Sequence, residues 1–281
     1  MNIIIAKSAG YCFGVRDAVN LAYETSEKYG NVYMLGDIVH NEKVVADLEK
    51  SGTKVVKSLD EVPDKSAVLF RAHGTNTEIW DKAKKRDVDV IDATCPLVHE
   101  IHHEVKKIES EGRQVIIIGD HGHDEVTAIA NQVKNPIILS SPKEANEIRK
   151  YKRAGVVSQS TQMIENVQEI INILMQKVFD LKFVNTICFP TKRNHEQIKE
   201  LSVKCDLMII IGSFTSANSM RLTELSTQRN SNTYQVTGKE DLKREWFNHI
   251  DNVGISAGAS TPDYLIEEVK EQIKKFEREI Q

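Results

Sequence analysis

Short, wholly apolar runs alternate with longer amphipathic stretches along the chain. NIIIA opens it, and VLF, VIIIG and MIIIG follow at intervals. Runs this short, apolar at every position, fit strands covered on both faces. Between them the apolar residues step at helical spacing. After Thr161, for example, Ile164, Val167, Ile171, Leu174 and Val178 share one helical face. Strand–helix alternation of this kind predicts an α/β fold with parallel sheets and right-handed crossovers. No Gly/Ser/Pro-rich linker interrupts it, so the units are expected to pack closely.

The pattern repeats three times. Cys12 lies in GYCFGV, after NIIIA and before the helical VRDAVNLAYETSEKYG. Cys95 lies in VDVIDATCPLVHEIHHEV and Cys188 in LKFVNTICFPTKRNHEQIKEL, each again between a strand and a helix. Each cysteine is followed by a second strand, polar loop and helix. These loops carry His40 (GDIVHN), His123 (GDHGHDE), and Ser216 with Asn218 (GSFTSAN). A third strand in each repeat ends at His73 (RAHG), at Ser160 and Thr161 (SQST), and at Ser260 (AGAST). Three features agreeing at matching offsets mark an internal repeat. The strand before each cysteine could pair with the unit before it or after it. If before, NIIIA joins the last unit and closes a ring.

Composition narrows the function. The chain has 281 residues, 40% hydrophobic and 28% charged, which is ordinary globular usage. A net charge of −4 argues against nucleic acid or an anionic membrane as partner. No apolar run is long enough to span a bilayer, and NIIIA is too short for a signal-peptide core. A cytoplasmic protein is expected. There, four cysteines point to metal binding or catalysis rather than disulfides.

In parallel α/β sheets, ligands bind beyond the carboxyl ends of the strands. Every residue named above sits at such an end, so a threefold arrangement can aim three thiols at one point. Pro96 follows Cys95 and marks it as a helix N-cap. That position favours thiolate, the metal-binding form. Structural zinc usually takes closely spaced cysteine pairs, and no C-x-x-C is present. Three dispersed cysteines on a four-iron cluster leave one iron without a protein ligand. Three inert buried thiols are the plain alternative. Cys205, in VKCDLMIII, falls outside the repeat and reads as a core thiol.

The other residues supply neutral donors. His40, His73, His123, Ser160, Thr161, Ser216, Asn218 and Ser260 lie at or near helix starts, which bind phosphate. Ser, Thr and Asn are also common N-caps, whereas histidines cap poorly and point more to a ligand. Glu125 is the one acid close to this set and can deliver a proton, or serve only as a first-turn carboxylate. Asp37 and Asp120 read as turn residues. His99-Glu100-Ile101-His102-His103 satisfies the H-E-x-x-H zinc-peptidase pattern. It has no counterpart in the other repeats and no evident third ligand, so a solvated helix face is expected.

The ordered set AGYCFGVRDAV, GDIVHN, RAHG, DATCPLV, GHDE, VSQSTQ, NTICFPT, SANSMRL and SAGASTPD resembles the LytB/IspH family of 4-hydroxy-3-methylbut-2-enyl diphosphate reductases. The resemblance implies a cloverleaf of three pseudo-symmetric α/β domains around a central iron–sulfur cluster. It implies domains at 14–94, at 95–187, and at 1–13 joined with 188–281. It implies one oxygen-sensitive [4Fe–4S] cluster per chain on Cys12, Cys95 and Cys188. His40, His73, His123, Ser216, Asn218 and Ser260 match diphosphate-binding positions and Glu125 the proton-delivering acid. Thr161 matches the threonine near the substrate hydroxyl, with Ser160 beside it. The implied reaction, the last of the non-mevalonate isoprenoid route, removes an allylic hydroxyl reductively with a ferredoxin or flavodoxin as donor. Many relatives have Ser-Ser-Asn where this chain has Ser216-Ala217-Asn218, which removes one hydroxyl from the diphosphate site. A quinolinate synthase-like dehydratase and a non-catalytic zinc protein are the alternative readings.

Overall fold

The computed structural model describes residues 1–280. Twelve strands form three four-stranded sheets, and every strand pairing is parallel. The first sheet holds β2 (Val32–Leu35), β3 (Thr53–Val56), β4 (Ser66–Phe70) and β5 (Val88–Asp92), in the order β3-β2-β4-β5. The second holds β6 (Gln114–Ile118), β7 (Ile137–Leu139), β8 (Tyr151–Ser158) and β9 (Val178–Phe183), in the order β7-β6-β8-β9. The third holds β10 (Leu207–Ile211), β11 (Thr233–Val236), β12 (Asn252–Ala257) and the N-terminal β1 (Asn2–Ile5), in the order β1-β12-β10-β11.

β1 therefore occupies the place that β5 and β9 hold in their sheets. Asn2 to Ile5 pair with Asn252 to Ile255. The strand before each cysteine pairs with the preceding unit, and the N-terminal strand completes the last one.

Helices follow the strands. They are α1 (Phe13–Tyr29), α2 (Glu42–Lys50), α3 (Thr77–Ala83), α4 (Pro96–Ser110), α5 (Asp124–Ala130), α6 (Pro142–Glu147), α7 (Ile164–Lys177), α8 (Phe189–Lys204), α9 (Ala217–Thr227) and α10 (Asp263–Ile280). α7 stops one residue short of the expected periodic set. Val178 begins β9, whose ladder to β8 takes over the backbone bonds that another helical turn would use. The expected apolar strands are deeply buried: all of β10, and Val115 to Ile118 of β6. Side chains on both faces of the second sheet form separate apolar clusters, one built on Ile116, Ile118 and Val156, the other on Val115, Ile117 and Val157. That two-sided cover is why these strands read as unbroken apolar runs.

A fourth repeated feature was not read from the sequence. After each edge strand β3, β7 and β11, a carboxylate accepts a backbone N–H from four residues earlier. The pairs are Lys57 N to Glu61, Ser140 N to Glu144, and Thr237 N to Asp241. The chain divides into two compact units. One comprises residues 1–16, 39–46 and the segment from Phe189 on. The other comprises residues 17–38 and 47–188 and holds the first two sheets.

Candidate active site

In each sheet the first and third strands of the repeat lie side by side at the centre: β2 and β4, β6 and β8, β10 and β12. Crossovers leave these two strands in opposite directions, so a crevice opens between their carboxyl ends. The loops after these strands carry all the polar candidates. The cysteines follow the fourth strand of each sheet.

The cysteines share one backbone arrangement. Cys12 N donates to Ala259 O at 3.3 Å, Cys95 N to Ala72 O at 3.0 Å, and Cys188 N to Ser160 O at 2.9 Å. Each acceptor lies in the loop after the third strand of its own sheet. Each cysteine directly precedes a helix, and Cys95 is the N-cap of α4 ahead of Pro96. Among the described residues no cysteine forms a disulfide. Cys12, Cys95 and Cys188 are half-buried; Cys205 is buried, and burial, then the Asp206 charge, pushes its thiol upward. Neutral and enclosed, Cys205 matches the core role expected of it.

In the unit holding the first two sheets, Glu125 is the second residue of α5 and is only 2% exposed. Ser160 N donates to its Oε1 at 2.6 Å and Ser160 Oγ to its Oε2 at 2.7 Å. Ser160 thus joins Glu125 to the backbone of Cys188. Thr161 is placed differently: its Oγ1 accepts from Gln159 Nε2 at 3.1 Å. Gln159, fully buried, also accepts from Asp120 N at 3.0 Å. Nothing in the sequence distinguishes this glutamine from other loop residues.

His123 departs from the expectation that histidines cap poorly. It is the N-cap of α5, and its Nδ1 accepts from Glu125 N at 3.1 Å. A neutral ring accepting at Nδ1 carries its hydrogen on Nε2. Capping therefore makes Nε2 the donor atom of the His123 ring. The His73 ring meets it edge to face, with centroids 5.8 Å apart.

In the other unit, Ser216 is the N-cap of α9 and accepts from Ser219 N at 3.3 Å. The cap uses a lone pair and leaves the hydroxyl hydrogen for another acceptor. Asn218 is two residues further, 5% exposed, and neither side-chain amide atom has a partner among the described residues. A buried primary amide with no partner costs free energy unless a ligand completes it. Ser260 Oγ donates to His40 O at 3.0 Å, which fixes the backbone at His40. Glu42, at the start of α2, accepts from Ser213 Oγ at 2.6 Å and Thr215 Oγ1 at 3.2 Å. Burial alone raises this carboxyl, but the bond from Ser213, a backbone N–H, the bond from Thr215 and the His40 charge together hold it below the ordinary carboxylate range. Glu42 was not read as functional because a glutamate in a first helical turn is unremarkable in sequence.

The model of the LytB protein family matches residues 3–274. The chain belongs to the LytB family. The 4-hydroxy-3-methylbut-2-enyl diphosphate reductase of Geobacter metallireducens is 37% identical over 278 residues, covering 99% of this chain and 98% of the relative. The reductase of Aquifex aeolicus is 39% identical over 281 residues, covering 98% and 97%. A solved structure of (E)-4-hydroxy-3-methyl-but-2-enyl diphosphate reductase, the terminal enzyme of the non-mevalonate pathway, matches with a TM-score of 0.73 at 37% identity, covering 98% of this chain and 100% of that one. The Plasmodium falciparum E-1-hydroxy-2-methyl-but-2-enyl-4-diphosphate reductase matches with a TM-score of 0.90 at 27% identity, covering 98% and 87%.

The H-E-x-x-H segment of this LytB chain lies on α4 and is only partly solvated. His99 and His103 are exposed, and His99 Nε2 meets Asp92 Oδ2 at 3.0 Å. His102 is instead buried against Gly74. Gly74 has a φ of +87°, and a Cβ there would come within 2.8 Å of the imidazole. Among the described residues no group of metal-capable side chains includes this segment. Desolvation, then the neighbouring His99 and Lys106 charges, lowers the His102 pKa from 6.5 to about 4. The lowered value means that His102 stabilises the fold fully above pH 6.5 and that this contribution is lost as pH falls towards 4. The loss between pH 7 and pH 5 amounts to about 2 kcal/mol. Anaerobic denaturant titrations at the two pH values check it: His102→Gln is expected to lose that much less stability than the unmodified protein.

No described helix is long and apolar enough to cross a membrane.

Proposed function

We propose that this LytB chain is an iron–sulfur oxidoreductase that converts 4-hydroxy-3-methylbut-2-enyl diphosphate to isopentenyl and dimethylallyl diphosphates. One [4Fe–4S] cluster per chain would be held by Cys12, Cys95 and Cys188. The observation that carries this reading is the threefold backbone bond that sets each cysteine at the same place in its sheet. Half-buried cysteines at helix starts, outside any disulfide, suit thiolate ligation of iron. When bound, such a cluster supplies an iron with an open coordination position and the electrons for C–O cleavage.

The remaining work falls to the chain's own residues. The reaction consumes two electrons and two protons, and the hydroxyl oxygen leaves as water. Glu125, clamped by both donors of Ser160, holds a carboxyl at a defined place for proton delivery to that oxygen. Ser160 donates to this acid through both its backbone N–H and its hydroxyl. The diphosphate is read by neutral donors: His40, His73, His123 Nε2, Ser216 and Asn218, and Ser260, whose hydroxyl would turn from His40 O to the anion. The buried, unpartnered Asn218 amide and the Ser216 hydroxyl both lie at the start of α9, where the helix dipole favours an anion. Anchoring the diphosphate fixes where the allylic hydroxyl arrives. Thr161, polarised by Gln159, borders the Glu125–Ser160 pair in sequence and is assigned to the substrate's hydroxyl end. A small ferredoxin- or flavodoxin-type carrier would supply the electrons.

The test is anaerobic reconstitution with iron and sulfide, followed by addition of the diphosphate substrate and a chemical reductant. Formation of both five-carbon diphosphates, with iron and sulfide near four each per chain, is expected. Zinc in place of iron, or a reconstituted protein that leaves the substrate untouched, rejects the reading.

A further inference from the structure

Arg71 lies two residues before His73, and Asp124 one residue after His123. Arg71 Nη1 bonds Asp124 Oδ2 at 2.6 Å, joining the loop after β4 to the start of α5. The guanidinium also lies over Gly36, in the loop after β2. Gly36 has a φ of +74°, which favours glycine, and a Cβ there would stand 2.9 Å from Arg71 Nη1, so the guanidinium would have to shift. One side chain thus ties together two loops at the carboxyl ends of two sheets and lies against a third. Two of those loops carry the edge-to-face pair of His73 and His123.

We propose that the Arg71–Asp124 ion pair is the positioning device that sets the spacing of His73 and His123 for the diphosphate. The proposal rests on the reading of those histidines as diphosphate donors. Two physical effects act together. The pair holds the two backbones in register within a residue or two of each ring. The guanidinium also offsets the Asp124 carboxylate, which otherwise repels an incoming diphosphate. Neither residue touches the reacting atoms in this account; both act through the histidines.

The pair is not a stability element. Its side chains are 27% and 32% exposed, lining a cleft of about 310 Å³, and ion pairs so exposed contribute about 0–1 kcal/mol. α5 keeps a second tie without it, because Thr77 Oγ1 donates to Asn131 O at its far end. Variants should therefore fold, and their phenotype should be one of affinity.

The experiment uses the anaerobically reconstituted enzyme with Arg71→Met, Asp124→Asn, the double variant, Arg71→Lys, and His73→Ala as reference. Calorimetry with inorganic diphosphate is read beside KM and kcat. Arg71→Met is expected to weaken diphosphate binding about tenfold and to raise KM in parallel, with kcat within about twofold. Asp124→Asn, which removes the repelling charge together with the brace, is expected to cost about threefold. The double variant should bind no worse than Arg71→Met, the non-additivity of residues that act as a pair. Arg71→Lys should recover part of the loss. Diphosphate binding by Arg71→Met at the unmodified affinity, while His73→Ala binds weakly, overturns the positioning role. So do fully additive single losses in the double variant. Unmodified affinity in His73→Ala instead removes the diphosphate reading on which the proposal rests.

Discussion

Cys12→Ser is expected to reduce turnover by more than about 100-fold and to lower the iron retained after anaerobic reconstitution. Changes one shell outside a metal site already cost 10–100-fold in affinity or activity, and loss of a ligand exceeds that. The physical reason lies in the donor atom. A thiol at a helix start ionises near neutral pH and binds iron as thiolate, whereas a serine hydroxyl stays protonated and hard. The backbone at residue 12 is held by Ala259 O irrespective of side chain, so the substitution leaves the loop in place. Cys205→Ala is the matched control. Its thiol packs inside the third sheet near Gly254 and Met208, and its loss should leave iron content and turnover unchanged. A Cys12→Ser protein with full iron and near-normal turnover refutes the ligand assignment, and loss of iron in both variants points to general instability.

Glu125→Gln is expected to lower kcat by about 10²–10⁴-fold, the range for removing a positioned general acid. Glutamine has nearly the same shape, so packing beneath α5 is kept. Its amide oxygen can accept from Ser160 N as Oε1 does now, and its NH₂ can donate to Ser160 Oγ, which has lone pairs to receive it. The hydrogen-bond count is therefore preserved while the ionisable proton is lost. Cluster absorbance and inorganic diphosphate affinity should stay within about twofold of the unmodified enzyme. An undiminished kcat takes Glu125 out of the proton path.

Much of this architecture was legible because burial on both faces writes itself into the strands. The Ile-rich runs of β6 and β10 could be read as parallel strands without any partner in view. The three cysteines were legible as equivalent because each follows such a run. What could not be read was pairing across distance. Whether NIIIA belonged to the first or last unit depended on its ladder to β12, which no local property reveals. Ser160 and Thr161 are adjacent hydroxyls, and only the fold after β8 shows that Ser160 donates to Glu125. His123 as an N-cap runs against residue preference; it occurs because the next turn places Glu125 N on Nδ1. Gln159 and Arg71 are ordinary residues whose roles come from partners 39 and 53 positions away. His102 belonged to a motif that suggested solvent, yet Gly74 makes space for it inside the fold.

The ladder between β1 and β12 also dictates a timetable for synthesis. β1 is encoded some 250 residues before the strand it pairs with. At the usual elongation rates of about 5–20 residues per second, it waits on the order of 10–50 s as an unpaired nascent segment. The carbonyl of Ala259 that anchors Cys12 emerges later still. The backbone setting of Cys12 is thus completed only after nearly all of residues 1–259 have been made.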